Sequence, residues 1–427
     1  MKKIDYSHLR ETIYTEVLPN GLRLVMIPKP GFSKVYSTFA THFGSFTNSF
    51  SIDGESYSLP MGVAHFLEHQ LFESADGMDI TSRFALLGAD CNAYTDYQET
   101  AYITVSTSRP LEVIELLLNY VQTPQFSEQS VEEERGIIEQ ERSMYMDRAS
   151  VRALMGVVKN MYATHPVRED IVGTKESIQA ITYRDLKFAY DTFYHPSNMI
   201  LVIVGDISVE EIRNLVVTNQ EKKVFPPRGA IKVYFPEENA CVVSQTSEDA
   251  MDIAMPKAVM GVKLPLISTL GINGFQVEVI LRMILEEHFG LSSANYQHML
   301  DNELFNTSFS FNFYLDKTVG YLYLSANTKK PHEFLSFLEE IILSIPQSNM
   351  SPSTFEVLYK ATHGSLLKSL NSLEAIAHNI AEYQLANEDF FAIFDSIRGI
   401  TLEDLHRLDH CFTKDAISTF IIKPIKS

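Results

Sequence analysis

Ala101-Tyr-Ile-Thr-Val-Ser-Thr-Ser-Arg-Pro110 reads as a strand running into a proline-started segment, and Leu322-Tyr-Leu-Ser-Ala-Asn-Thr-Lys-Lys-Pro331 has the same layout 221 positions later. A second pair, Ile181-Thr-Tyr-Arg-Asp-Leu186 and Ile400-Thr-Leu-Glu-Asp-Leu405, recurs at an offset of 219. In both, Thr suits a helix N-cap and the acid three positions on suits a capping box. Each then leads into a β-rich run, Met199–Val204 or Ile417–Ile422. Two independent matches at nearly one offset predict a duplicated domain. The copies are expected over residues 10–220 and 245–427. Residues 221–244 read as a linker, because Pro226-Pro227 and the charges around them end any helix. Within each half, alternating strands precede long amphipathic helices and a closing strand. That order predicts an α+β fold of two tandem homologous domains, each an antiparallel-rich sheet with helices packed on one face.

Composition narrows the function. Of 427 residues, 45% are hydrophobic and 21% charged, so each domain can bury an ordinary core. Against 35 Lys and Arg stand 54 Asp and Glu, a net charge of −19. Such a surface repels phosphate backbones and anionic lipid, so neither a nucleic-acid nor a membrane partner is expected. Three widely spaced cysteines, Cys91, Cys241 and Cys411, cannot form a disulfide framework and fit a reducing compartment. No apolar run follows the basic residues of Met1–His8, and no stretch approaches the roughly 20 apolar residues that span a bilayer. The expectation is a soluble, cytoplasmic protein.

Chemistry concentrates in Gly62-Val-Ala-His65-Phe-Leu-Glu68-His69, which contains His-x-x-Glu-His. On a helix, His65 and His69 lie one turn apart on one face, so both imidazoles can reach one metal. Glu68 lies beside them, within reach of the proton of a metal-bound water. Val63, Phe66, Leu67 and Leu71 fill the opposite arc, which is expected to be buried while the first faces a cleft. Two histidines do not hold zinc, so a third ligand is needed, usually a carboxylate in a catalytic site. The run Val131–Tyr145 offers five glutamates. Val131, Ile137, Ile138, Met144 and Tyr145 mark an apolar arc, with Glu134 and Glu141 projecting into its middle. A carboxylate on a core-facing stripe must be paired or coordinate a metal. Spacing alone leaves open which of the two is the ligand.

These residues, with Pro19-Asn-Gly-Leu-Arg23, Asn92-Ala93-Tyr94-Thr95, Glu99-Thr-Ala-Tyr102, His165-Pro166, Gly173-Thr174, Tyr194-His-Pro-Ser-Asn198 and Val204-Gly-Asp206, make the chain resemble the inverzincin metallopeptidases. That is the pitrilysin, insulin-degrading and mitochondrial-processing-peptidase family, and the half-length bacterial members of the YmfH-like type are the nearest in layout. The resemblance covers nearly the whole chain. It implies two related domains forming half of a clamshell. It implies one zinc per chain held by His65, His69 and Glu141, with Glu68 as general base acting on the zinc-bound water. Glu134 would orient a ligand, and Asn92, Ala93 and Tyr94 would belong to a strand that pairs with substrate. The implied activity is that of a zinc endopeptidase subunit cutting peptides or a small protein in an enclosed chamber.

The second copy departs from this pattern. Ile284 stands where the first histidine would be in Ile284-Leu-Glu-Glu287-His288, and the position matching Glu141 falls near Lys360 or Thr362, so that copy is expected to be catalytically empty. The family's second domain usually supplies an Arg and a Tyr that hold the substrate carbonyl. Leu300 and Thr307 occupy those positions. The expected assembly is therefore a heterodimer with a paralogous subunit supplying Arg and Tyr, a homodimer being the other option. Tyr296 or His298 could also have taken over the missing role. The competing class is a non-catalytic peptide-binding or structural subunit of a family complex.

Overall fold

The computed structural model describes residues 1–72, 80–306 and 308–425 and divides into two units. Unit 1 comprises Met1–Arg142, Asp170–Tyr234 and Leu367–Phe391, and unit 2 the remaining segments, Ser143–Glu169, Phe235–Leu366 and Ala392–Ser427. The strands of unit 1 are β1 (Lys2–Tyr6), β2 (Glu11–Val17), β3 (Arg23–Pro28), β4 (Val35–Thr41), β5 (Ser49–Ile52), β6 (Glu55–Ser58), β7 (Ala89–Thr95), β8 (Thr100–Ser106), β9 (Met199–Gly205) and β10 (Ile231–Val233). Those of unit 2 are β11 (Thr246–Met251), β12 (Lys257–Lys263), β13 (Ser310–Leu315), β14 (Gly320–Asn327) and β15 (Ile417–Pro424). Seven helices carry the argument: α1 (Val63–Leu71), α2 (Pro110–Val121), α3 (Glu128–Met146), α4 (Ala149–Met161), α5 (Gly274–Phe289), α6 (Pro331–Ser344) and α7 (Leu373–Leu385).

The duplication is visible strand by strand. Unit 1 orders its main sheet β1-β2-β3-β9-β4-β8-β7, with β10-β5-β6 as a small separate sheet; unit 2 orders its sheet β11-β15-β12-β14-β13. In both, the closing strand joins one parallel pair, β3 with β9 and β11 with β15, and every other pairing in these two sheets is antiparallel. Pro110 and Pro331 each open a helix after a strand, and Thr182 and Thr401 each form a capping box with the Asp three positions on. The second of these segments is wound differently. Leu402, Leu405, Leu408 and Cys411 recur every three residues, which matches the three residues per turn of a 3₁₀-helix, and Leu402–Cys411 adopts that form.

The expected continuous halves, 10–220 and 245–427, are not what the units use. Every residue of β4, β9 and β12 is buried, so both faces of the central sheet need cover. In unit 1, α1 and α2 pack on one face of the sheet. The other is covered by α7, from the second half of the sequence, which packs on β4 and β9. In unit 2, α4, from the first half, packs on β12 and β15, together with α6 on β12. Each half thus gives the other one helix, because its own helices do not cover both faces of its sheet.

A carboxylate clasp secures the loop after α4. Glu238 accepts hydrogen bonds from the backbone N–H of Ala163 (3.1 Å), Thr164 (2.6 Å) and His165 (2.7 Å), with Lys263 Nζ at 3.3 Å. Burial pushes its carboxyl up, but these donors outweigh it and bring it down to about 2. A depressed folded value means stabilisation that is fully present above the ordinary value of 4.5 and lost as pH falls from there toward 2. Because water reaches part of the carboxylate, the expected loss for Glu238→Gln at pH 7 is about 1–2 kcal/mol rather than the full shift. Urea unfolding at pH 7 and at pH 3 checks this: the gap between the two proteins should shrink in acid, and an equal gap at both pH values would refute the clasp.

Candidate metal centre

Helix α1 begins at Gly62, whose φ of 89° lies in the left-handed region. A side chain there would put its Cβ 2.3 Å from the Val172 carbonyl oxygen, so the close approach that starts the helix is open to glycine alone. Val63, Phe66, Leu67 and Leu71 are buried as expected. His65 and Glu68 are buried too, each 8% exposed, so the chemical face of the helix is more enclosed than an open cleft wall.

Helix α3 brings Glu141 to this face. Its Oε2 lies 3.7 Å from His65 Nε2 and 3.2 Å from His69 Nε2, and the imidazole centroids are 4.6 Å apart. One ligand atom from each of the three residues falls within 4.8 Å of the others, the one such cluster among the described residues. Metal–ligand bonds of about 2.0–2.2 Å in a tetrahedron put ligand atoms about 3.3–3.6 Å apart, and the Glu141 oxygen, at 3.7 and 3.2 Å from the two imidazole nitrogens, is close to that spacing. The donor set fits as well, since Glu68, Glu134 and Glu141 surround two imidazoles and invite a cation. Glu134 accepts at 2.8 Å from His69 Nδ1, which leaves Nε2 turned toward Glu141. Among the described residues His65 Nδ1 has no such partner, and it is buried.

Electrostatics divides the pair. Burial, and then the charge on His69, push His65 down to about 4. Burial also acts downward on His69, but hydrogen bonds with Glu134 and Glu141 and the Glu68 charge outweigh it and raise it to about 9. Burial pushes the Glu68 carboxyl up, opposed by the hydrogen bond that Thr95 Oγ1 donates to its Oε2 at 2.6 Å.

The apolar arc expected on α3 is only partly buried. Val131 and Ile138 are at most 2% exposed, whereas Ile137 and Met144 are each 55% exposed. At about 100° per residue, Glu134 and Glu141 lie between these two groups. The acid pair therefore occupies the rim between a buried line and an exposed one, not the middle of a buried stripe. That is how both carboxylates reach α1 without being sealed in the core.

Strand β7 is the edge of the seven-stranded sheet. Asn92 is exposed, and its side-chain oxygen accepts from Ala93 N at 2.9 Å. Alternation sends Thr95 to the α1 face and Tyr94 to the opposite one. There the Tyr94 hydroxyl lies 2.6 Å from Glu99 Oε1 and 2.6 Å from His378 Nδ1 of α7. Burial pushes Glu99, 3% exposed, up to about 8. The Tyr94 phenol is thus committed behind the sheet, and only its backbone lies along the edge. In α5, Ile284 is buried and His288 Nε2 meets Ser348 Oγ at 3.4 Å, while Lys360 pairs with Glu356 on the surface. Leu300 is 38% exposed, and Thr307 lies outside the described residues.

Residues 56–175 match the family described as insulinase (peptidase family M16), and residues 180–360 match the peptidase M16 inactive domain. The chain belongs to the insulinase family of zinc proteases, peptidase family M16. It is 38% identical to YmfH of Bacillus subtilis, described as an uncharacterized zinc protease, over 96% of this chain and 95% of that one. A solved structure from Alicyclobacillus acidocaldarius, described as M16-like, superposes with a TM-score of 0.92 at 33% identity, covering 97% of this chain and 99% of that one. The periplasmic protease PqqL of Escherichia coli shares the fold, with a TM-score of 0.73 at 18% identity, over 97% of this chain and 48% of that one. Both halves are tandem M16 domains, as the duplication predicts.

Proposed function

We propose that the chain is a zinc endopeptidase subunit, holding one zinc ion through His65, His69 and Glu141 and hydrolysing peptides in a chamber completed by a paralogous subunit. The observation that carries this reading is the convergence of these three ligands within 4.8 Å beside Glu68. Zinc held there would lower the pKa of its water and polarise the scissile carbonyl. Glu68 takes the water's proton and delivers it to the nitrogen of the leaving amine. Glu134 keeps His69 turned to the ion by accepting from its Nδ1. Leu300 supports the need for a second subunit, since its side chain cannot donate a hydrogen bond to a carbonyl oxygen gaining charge. That this chain matches about half the length of PqqL supports the same conclusion.

Metal analysis and peptide-library kinetics test this, on the chain alone and with a paralogue that lacks the zinc motif but keeps Arg and Tyr. One zinc per chain is expected, lost in His65→Ala and Glu141→Gln. Glu134→Gln should weaken affinity by about 10–100-fold only. The paralogue should raise turnover by about 10²–10³-fold for each donor it supplies. Zinc that survives both ligand substitutions refutes the site. High turnover alone, with no gain from the paralogue, refutes the heterodimer. Zinc without turnover in any combination favours a non-catalytic subunit.

A further inference from the structure

Thr95 has no part in holding metal, yet it is the hydrogen-bond donor that the Glu68 carboxylate has among the described residues, at 2.6 Å. We propose that Thr95 is the positioning residue of Glu68, fixing the plane of the carboxylate so that one oxygen is tied and the other is left for the water. This rests on the peptidase reading above for its kinetic consequence, though not for its geometry. The last torsion of a glutamate is broad and nearly two-fold, so packing of the chain alone does not set the carboxylate plane. A short hydrogen bond from a fixed donor does.

The donor is fixed from three sides. Asp96 N donates to Glu99 O at 2.8 Å, closing the β7–β8 hairpin. Ser45 N and Phe46 N donate to the carbonyls of Asp96 and Tyr97 at 3.0 and 2.9 Å, and the Phe46 and Tyr97 rings stack at 4.5 Å. Gly44 permits that approach, since a Cβ there would lie 2.5 Å from the Asp96 oxygen. Among the described residues, the one hydroxyl hydrogen of Thr95 also has no rival acceptor at good distance. Thr100 Oγ1 is 3.4 Å away, and its own hydrogen goes to the Phe43 carbonyl at 2.8 Å.

Thr95→Val keeps the shape and β-branching of the strand residue and removes the donor; Thr95→Ser keeps the donor. For Thr95→Val, kcat should fall about tenfold with KM within about twofold and zinc content unchanged. Thr95→Ser should recover most of the loss. A merely structural role would move KM, zinc content and melting together and would not be rescued by Ser. An unchanged kcat in Thr95→Val, in a chain that does turn over peptide, overturns the proposal and leaves the peptidase reading standing. Crystal structures of the unaltered chain and Thr95→Val give a readout that needs no activity. The Glu68 carboxylate should leave its plane in the variant while His65 and His69 stay in place. A Glu68 that does not move overturns the proposal; one that moves, when neither the chain nor its complex with the paralogue turns over peptide, upholds it and removes the peptidase reading instead.

Discussion

Glu68→Gln is expected to lower peptide turnover by about 10²–10⁴-fold while zinc content stays that of the unaltered chain. The amide is nearly the same size, and its oxygen can still accept from Thr95. His65, His69 and Glu141 therefore keep their places. What disappears is a group able to take a proton from water. Full activity in the variant would remove Glu68 from the mechanism, and loss of zinc together with activity would put Glu68 among the ligands instead.

The second large effect is structural. Gly62→Ala forces a Cβ to within 2.3 Å of the Val172 oxygen at a φ of 89°, where side chains are already strained. Neither the backbone carbonyl nor the start of α1 can yield without moving the other. The expected cost is roughly 3 kcal/mol or more, a fall of about 6–12 °C in the melting of unit 1. Because His65 and His69 follow within two turns, zinc should be lost as well. Gly31→Ala is the control. Its φ of 88° is equally left-handed, but nothing lies within 4 Å of the added Cβ, so only the conformational strain remains. Equal melting shifts in the two variants would refute the close-approach argument.

Much of this molecule was legible in the linear sequence wherever its determinants are local. The His65–Glu68–His69 face follows from helical spacing, the caps at Thr182 and Thr401 from residue type, and the duplication from two repeated stretches. The limits appear where a residue's partner is far away in the chain. Spacing could not choose between Glu134 and Glu141, because the choice depends on how α3 is rotated against α1. Periodicity grouped Ile137 and Met144 with Val131 and Ile138, since it sees hydrophobicity but not which line of a helix meets a neighbour. The partnership of Thr95 with Glu68 needs the strand and helix to be docked first. His378 meets Tyr94 from 284 residues away, and no local pattern announces that.

The exchanged helices set a timetable for biosynthesis. Strand β9 completes the centre of the first sheet at Gly205, but the helix that covers its second face ends at Leu385, 180 residues later. At about 5–20 residues per second, a ribosome leaves that apolar face bare for roughly 10–40 s. The nascent chain must be kept from its neighbours on the polysome during that interval, so cellular yield would depend on holdase chaperones as well as on the stability of the finished protein.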